Sequence, residues 1–303
     1  MRINHTLILL LATLLPFAPG CGIGGRTDGG KPTGWRNGDT HPMSDVVQAI
    51  NRNNLAVPTL WASHGYKATV ADDRKKKHTF TGSGVLLYRH PRELQLLGNK
   101  EFVGTIFEVG STPDRFWLKL VPEIETMYWG HYKHVGKPCA QPIPIRPDLV
   151  VEVLGVAVVD TDFTKLPAPT MRYNHERDAY MFVWVAPLPD RWVALKEIWY
   201  DRQTKLPTLV MLYDANGRVA MRAELKNHRT VEVPDTPRDR WPRVASEFLM
   251  YFPETGTRME LDLREMMLDK RGVPSRRGIN FPDLARTADQ LKIVQIDEGC
   301  EGE

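Results

Sequence analysis

Three cysteines, two histidines and two glutamates are the residues of this 303-residue chain whose types and spacing invite chemistry. Cys21 stands directly after Ala18-Pro19-Gly20, at the end of an apolar run over Leu7 to Leu15 that follows Arg2. Positive end, apolar centre and small residues before a cut are the order of a secretory signal. The run is well short of the roughly 20 residues that cross a bilayer as a helix. A cysteine at the cut is where bacterial lipoproteins take their diacylglycerol, so Cys21 is the expected lipidation site; the competing reading is an ordinary signal with an incidental thiol. Cys139 and Cys300 remain, and an exported compartment permits a disulfide between them, although sequence alone does not show whether they meet.

His131 and His134 lie three apart, but in Tyr128-Trp129-Gly130-His131-Tyr132-Lys133-His134 the aromatics speak for strand or turn rather than a ligand-presenting helix, so no metal site is expected. Glu123 and Glu125 would share one face of a strand, a spacing common on solvated strands. Gly-x-Ser-x-Gly, a phosphate-cradling glycine loop and His-Glu-x-x-His are all missing from the sequence. The expectation is a protein that is not an enzyme and carries no cofactor. Lys and Arg exceed Asp and Glu by 40 to 37, a net charge of +3, far below the basic density of a nucleic-acid binder. The run Arg74-Lys75-Lys76-Lys77-His78 reads as a solvated hairpin loop; near an anionic membrane each such charge would add about 1 kcal/mol of attraction.

The elements that must carry these residues are mostly strands. Gly22, Gly24, Gly25, Gly29, Gly30, Pro32, Gly34 and Gly38 make residues 21–42 a flexible tether. Val46, Val47 and Ile50 share one face of a helix from about Ser44 to Asn53, with Ser44 or Asp45 as its cap. Short apolar runs bounded by Gly, Pro or Asp then read as antiparallel strands near 66–70, 78–88, 93–98, 104–110 and 115–120. A short helix at 148–155, ended by Gly155, interrupts them, although its valines leave a strand open. Strands resume near 170–173, 179–185, 192–200, 208–213, 219–225, 242–251 and 258–263, with an Asn216-Gly217 hairpin turn among them. About twelve antiparallel strands must curl or close, and a helix over the concave side would enclose an apolar space.

The order of these segments resembles the LolA/LolB class of periplasmic lipoprotein carriers and receptors. The resemblance runs over roughly 43–265, through Leu60-Trp61, Gly82-Ser83-Gly84-Val85-Leu86-Leu87-Tyr88-Arg89-His90-Pro91, Phe107-Glu108-Val109-Gly110, Phe116-Trp117-Leu118, Trp199-Tyr200-Asp201-Arg202 and Tyr251-Phe252-Pro253-Glu254-Thr255-Gly256. It implies an incomplete β-barrel of eleven or twelve strands lidded by helices, binding acyl chains or lipoproteins in an apolar cavity. A lipidated Cys21 would put the chain nearer the receptor. Arg89 is the nearest match to the family's arginine that bonds the helical lid, with His90 intervening before Pro91. The receptor also projects an apolar residue from a loop; Ala71 to Lys77, the loop compared with it, has no Leu or aromatic to offer.

The expectation is therefore a signal at 1–20, a tether at 21–42, a mainly β half-barrel at 43–268 and a charged, loosely packed tail at 269–303. Trp61, Leu86, Tyr88, Phe107, Trp117, Trp129, Trp184 and Trp199 are the expected cavity lining, with ordinary core as the competing reading of each tryptophan. Expected partners are acyl chains or lipoproteins, other envelope proteins, and a membrane, that of the outer membrane facing the periplasm, reached through the N-terminal lipid. An envelope scaffold with a filled core is the alternative, and cavity size separates the two.

Overall fold

Alternation decides which side of every strand is buried, and the computed structural model shows it plainly along the first one, where Leu60, Ala62, Tyr66, Ala68 and Val70 all turn to the same apolar face. The structure describes residues 38–71, 77–121, 124–135, 137, 139–141, 143, 145–214, 216–268 and 279–300. The chain divides into a unit at 1–35, outside those residues, and a second at 36–303. Cys21, the expected signal, most of the expected tether, Glu123 and most of the basic loop at 74–78 thus lie outside the described residues. Among the described residues no helix is long and apolar enough to cross a membrane.

The second unit begins with α1, Met43–Asn54. Six strands follow, β1 (Thr59–Ala71), β2 (Lys77–Arg89), β3 (Glu93–Lys100), β4 (Gly104–Ser111), β5 (Arg115–Leu120) and β6 (Thr126–His131). Helix α2, Pro147–Val153, separates them from β7 (Ala168–Asn174), β8 (Ala179–Pro187), β9 (Trp192–Asp201), β10 (Pro207–Tyr213) and β11 (Val219–Lys226). Next come β12 (Arg229–Thr230), β13 (Arg243–Val244), β14 (Glu247–Phe252) and β15 (Thr257–Met267), then α3 (Leu284–Ala288) and β16 (Lys292–Gln295). Fourteen strands form one sheet in the order β16-β6-β5-β4-β3-β2-β1-β15-β14-β11-β10-β9-β8-β7, with β12 and β13 as a separate pair. Two antiparallel meanders are joined where β1 meets β15. The sheet curls without closing into a barrel, as expected, and its ends are β16 and β7.

Helix α1 forms where its apolar face was read: Val46, Val47 and Ile50 are buried against the concave side. Its cap differs from expectation, because Pro42 rather than Ser44 or Asp45 occupies that place and no side chain caps the first turn. Two buried asparagines on the same helix grip the backbone that follows α2. Asn51 donates to the Val159 carbonyl at 2.7 Å and accepts from the Val159 N–H at 2.8 Å, while Asn54 donates to Ala157 at 2.7 Å. Leu149, Val150, Val151, Val153, Leu154 and Val156 fill the space beneath. Helix α2 resolves the ambiguity left by its valines: Pro147 starts it with a fixed φ, and Gly155 follows it at φ +70, where a side chain would be strained.

Large rings on one strand lie over glycines on the next. A Cβ on Gly98 would meet the Phe107 ring at 2.0 Å, and one on Gly84 would come within 2.9 Å of His64. The glycine-marked bend in β2 lies against the β3 backbone, with the Leu97 carbonyl 1.7 Å from a Cβ on Gly84 and the Asn99 carbonyl 2.0 Å from one on Gly82.

The segment expected as a loosely packed tail is different over residues 279–300. Strand β16 pairs in parallel with β6, Ile293 opposite Met127 and Gln295 opposite Trp129. Ile279, Phe281, Leu284 and Leu291 pack against Trp117, Met127 and Trp129. Cys139 and Cys300 are disulfide-bonded across 161 residues, which settles the pairing that sequence left open.

Candidate functional site

Eight residues were expected to line the concave cavity, and the pleat divides them into two sets of four. Leu86, Tyr88, Phe107 and Trp184 face the concave core. Trp61 stands between Leu60 and Ala62, both turned to that core, so its own side chain takes the outer face, where it is only half-buried and paired with Leu87 and Met267. Trp199 is likewise turned outward, its indole N–H donating to Glu197 at 2.5 Å. Trp117 and Trp129 are buried on the outer face too, beneath Phe281, with centroid separations of 5.6 and 5.3 Å. Trp117 donates from its indole to Glu108 at 3.0 Å. Large apolar and aromatic side chains in strands pointed to all eight; strand parity removes half, because successive side chains alternate between faces. Arg89 makes an ion pair with Glu93 at 3.1 Å across the turn joining β2 and β3.

The concave side is well filled. Its apolar pocket lies where β1 and β5 end and β2, β4 and β15 begin, lined by Ala68, Val70, Phe80, Ile106, Phe107, Leu120, Val121, Ile124, Ile145 and Met259. The space inside is about 10 Å³, no more than a single water requires and far from the several hundred Å³ of a ligand pocket. Among the described residues no charged side chain lines it. Deeper on the same side, burial pushes the Tyr88 hydroxyl up to about 12, with the Glu152 carboxylate adding to the shift. Burial likewise raises Tyr200, again with a contribution from Glu152.

At the same end of the sheet the turn between β3 and β4 carries an apolar pair outward. Phe102 is fully exposed, at 101 %, and Val103 is exposed beside it. Phe102 has a φ of 63°, a left-handed conformation that costs a bulky residue energy. The sequence reading compared a different loop, Ala71 to Lys77, and so missed this one; a Phe-Val pair beside Gly104 in a hairpin turn was the available signal.

An open groove of about 500 Å³ lies on the outer face of β1, β2, β11, β14 and β15. Lys67, Glu224, Lys226, Glu247, Asp262 and Arg264 line it, and Lys226 pairs with Glu224 at 2.7 Å. Tyr66, Phe248, Leu249 and Leu261 line it as well, so the groove is an open surface of mixed character rather than an enclosed apolar pocket.

A third place, at the β6 edge, gathers residues that sequence could not connect. Asp297, just beyond β16, is 1 % exposed. Its Oδ2 accepts from the His131 backbone N–H at 2.9 Å and lies 2.9 Å from His131 Nδ1 and 2.7 Å from His134 Nδ1. Burial alone would raise the Asp297 carboxyl, but the His131 N–H and the two imidazoles, with a smaller contribution from Gln295, outweigh it and hold the group at about 2. A pocket of about 240 Å³ opens beside the cluster. The sequence reading weighed His131 and His134 without a third ligand; Asp297 lies 163 residues after His134 and enters through the parallel pairing of β16 with β6.

No protein-family model matches the sequence, and no curated protein matches it. Solved structures do resemble it. A LolA superfamily protein from Nitrosomonas europaea is 11% identical over 80% of this chain and 99% of its own, with a TM-score of 0.44. A putative outer membrane lipoprotein-sorting protein domain from Vibrio parahaemolyticus is 13% identical over 77% of this chain and 94% of its own, at 0.46. A DUF1329 family protein from Desulfovibrio piger is 10% identical over 78% of this chain and 97% of its own, at 0.48. The superfamily that the segment order resembles is thus among the structures similar to this chain.

Proposed function

We propose that this chain is an exported, lipid-anchored envelope protein that takes up an alkyl chain, of a lipid or a lipoprotein, at the concave mouth and does so without making or breaking covalent bonds. The observation that carries the reading is the apolar lining of that mouth among the described residues, with Phe102 exposed at the same end of the sheet. In the closed state described, about 10 Å³ cannot hold a chain, so uptake requires the segments bearing Ile124 and Ile145 to withdraw. Burial of alkyl surface supplies roughly 0.8 kcal/mol per CH2, so a twelve-carbon chain supplies on the order of 10 kcal/mol toward that opening. The Cys139–Cys300 disulfide supports an oxidising compartment, and Cys21 is the proposed anchor at the outer membrane. Other envelope proteins are the proposed donors or acceptors of the chain.

A second reading is favoured by the filled core itself: an envelope scaffold or assembly protein that holds no ligand. Native mass spectrometry of residues 22–303, purified from a bacterial host without the signal, separates the two. Stoichiometric co-purified lipid or lipopeptide, lost on Ile145→Trp, supports uptake at the mouth. Ligand-free protein that also rejects fluorescent fatty acids overturns it in favour of the scaffold.

A further inference from the structure

The corner at β6 and β16 holds three metal-ligating side chains from two distant parts of the chain. His131 ends β6, and His134 closes the single 3-10 turn Tyr132–His134 that follows. Asp297 is delivered two residues beyond Gln295, which pairs with Trp129. Backbone bonds from Ile296 N–H to the Trp129 carbonyl and from Gln141 N–H to the Ile296 carbonyl, 2.9 and 2.8 Å, fix that register. The Cys139–Cys300 disulfide closes the corner covalently. One ligand atom from each of the three side chains lies within 4.8 Å of the others.

We propose that His131, His134 and Asp297 bind a divalent transition-metal ion of the zinc class. Two imidazoles and one carboxylate are a donor set that suits zinc, and three protein ligands leave a fourth position to solvent or to a further ligand. The 240 Å³ pocket, lined by all three residues, lies where that fourth position would open.

A closed hydrogen-bond hub is the competing account, and the distribution of bonds on the carboxylate argues against it. Oδ2 has three donors directed at it, the His131 N–H and both Nδ1 atoms. Oδ1 is buried and, among the described residues, meets no partner in hydrogen-bond geometry, although the Gln295 side chain also favours the ionised carboxylate. A hub evolved to satisfy Asp297 would share the donors between its two oxygens, because a buried unsatisfied oxygen costs about 1–3 kcal/mol. A cation seated between Oδ2 and the two Nδ1 atoms relieves that imbalance. It displaces the Nδ1 protons and attracts the whole carboxylate.

The adjustment needed is small. On a tetrahedral zinc with ligands at about 2.0–2.1 Å, donor atoms stand roughly 3.3 Å apart. The present separations from Oδ2 are 2.9 and 2.7 Å, so each imidazole moves away from Oδ2 by about half an ångström, while the two imidazole donors, within 4.8 Å of each other, draw together. The surroundings hold the rings in place as metal sites require. Trp129 meets the His131 ring edge-on at 5.2 Å, and Phe116, Ile143 and Ile296 pack together under the same pocket.

The test uses the full chain, purified in detergent without a histidine tag, stripped with chelator and titrated with Zn2+ by calorimetry and with Co2+ by visible absorption. One ion per chain, at micromolar affinity or tighter, with the intense absorption of four-coordinate Co2+, is the expected result. His131→Ala, whose side chain is partly exposed, should weaken binding by roughly 100-fold or more, whereas His90→Ala should leave it unchanged. His134→Gln serves as a second variant, with circular dichroism and a thiol assay showing that the fold and disulfide persist. Absence of stoichiometric binding by the parent chain, or parent-like affinity in folded His131→Ala and His134→Gln, overturns the assignment. Neither readout involves lipid, so the outcome is independent of the proposed uptake at the mouth.

Discussion

His64 in β1 and His134 in the turn after β6 are both buried, 1 % and 5 % exposed, and the fold treats them in opposite ways. His134 has a carboxylate 2.7 Å from Nδ1, on a corner closed by a disulfide and opening to a polar pocket. His64 lies on the apolar concave side, between Gly84 of β2 and Leu263 of β15, with Tyr66 beside it. Neither of its ring nitrogens meets a hydrogen-bond partner in proper geometry, although carbonyls of Leu97 and Val85 stand near enough to favour the charged form slightly. Burial wins, and the His64 pKa falls to about 4. The contrast teaches that the two sides of the molecule solve burial differently. The concave side is mostly apolar and fills its space, while the β6 corner concentrates polar atoms and keeps open volume.

Breaking the corner should give the largest effect. Its closure spans 161 residues, and the loop-entropy account makes reduction of such a disulfide worth up to about 5 kcal/mol. Urea unfolding of Cys139→Ser/Cys300→Ser should show most of that loss. Hydrogen exchange at Lys292–Gln295 should speed up while that of β1 around His64 stays slow; equal acceleration at both would mean that the corner is not a separate cooperative unit.

Asp297→Ala removes the carboxylate on which His131 and His134 converge and should cost about 1–3 kcal/mol, the penalty for leaving buried hydrogen-bond donors without their acceptor. A loss under about 1 kcal/mol, read from the urea midpoint, would show that solvent from the neighbouring pocket replaces the carboxylate.

His64 should reveal itself through acid. Between about pH 6.5 and 4 an unfolded chain binds a proton at this histidine that the folded chain refuses, so stability is complete above the window and declines as pH falls through it. The decline is on the order of 3 kcal/mol, and His64→Leu should abolish it by putting an apolar group of similar size over Gly84. Urea midpoints at pH 7.5, 5.5 and 4.5 for both proteins measure this. An unchanged acid slope in the variant would place the responsible proton elsewhere.

The same contrast marks what sequence makes legible. Helix α1 was readable because Val46, Val47 and Ile50 repeat at helical spacing, and most strands were readable because apolar runs end at Gly, Pro or Asp. The concave lining was half readable: Leu86 and Trp184 are apolar in strands, but so are Trp61 and Trp199, and only the pairing register says which face each takes. Strand β16 was hidden by its four-residue length within a charged segment, and its partner is the distant Thr126–His131. The β6 corner therefore had no local signature. Cys139 and Cys300, flanking His134 and Asp297 in sequence, were the nearest thing to one.

The smallest expected effect on stability belongs to Phe102. Its ring is fully exposed at the β3–β4 turn, so Phe102→Asp should change the urea midpoint by no more than about 0.5 kcal/mol. Replacing it with Gly should stabilise slightly, since φ 63° costs glycine nothing. Binding is where the residue should matter. A ring held outside the fold in an unfavourable backbone conformation gains nothing from water, whereas insertion among acyl chains recovers the transfer energy of its apolar surface. Flotation of the purified chain with phosphatidylethanolamine–phosphatidylglycerol vesicles, using a form with Cys21→Ser to remove the anchor, should show association that Phe102→Asp reduces about tenfold and Phe102→Leu largely keeps. Equal flotation of all three would leave the filled concave side without an entrance and would strengthen the scaffold reading.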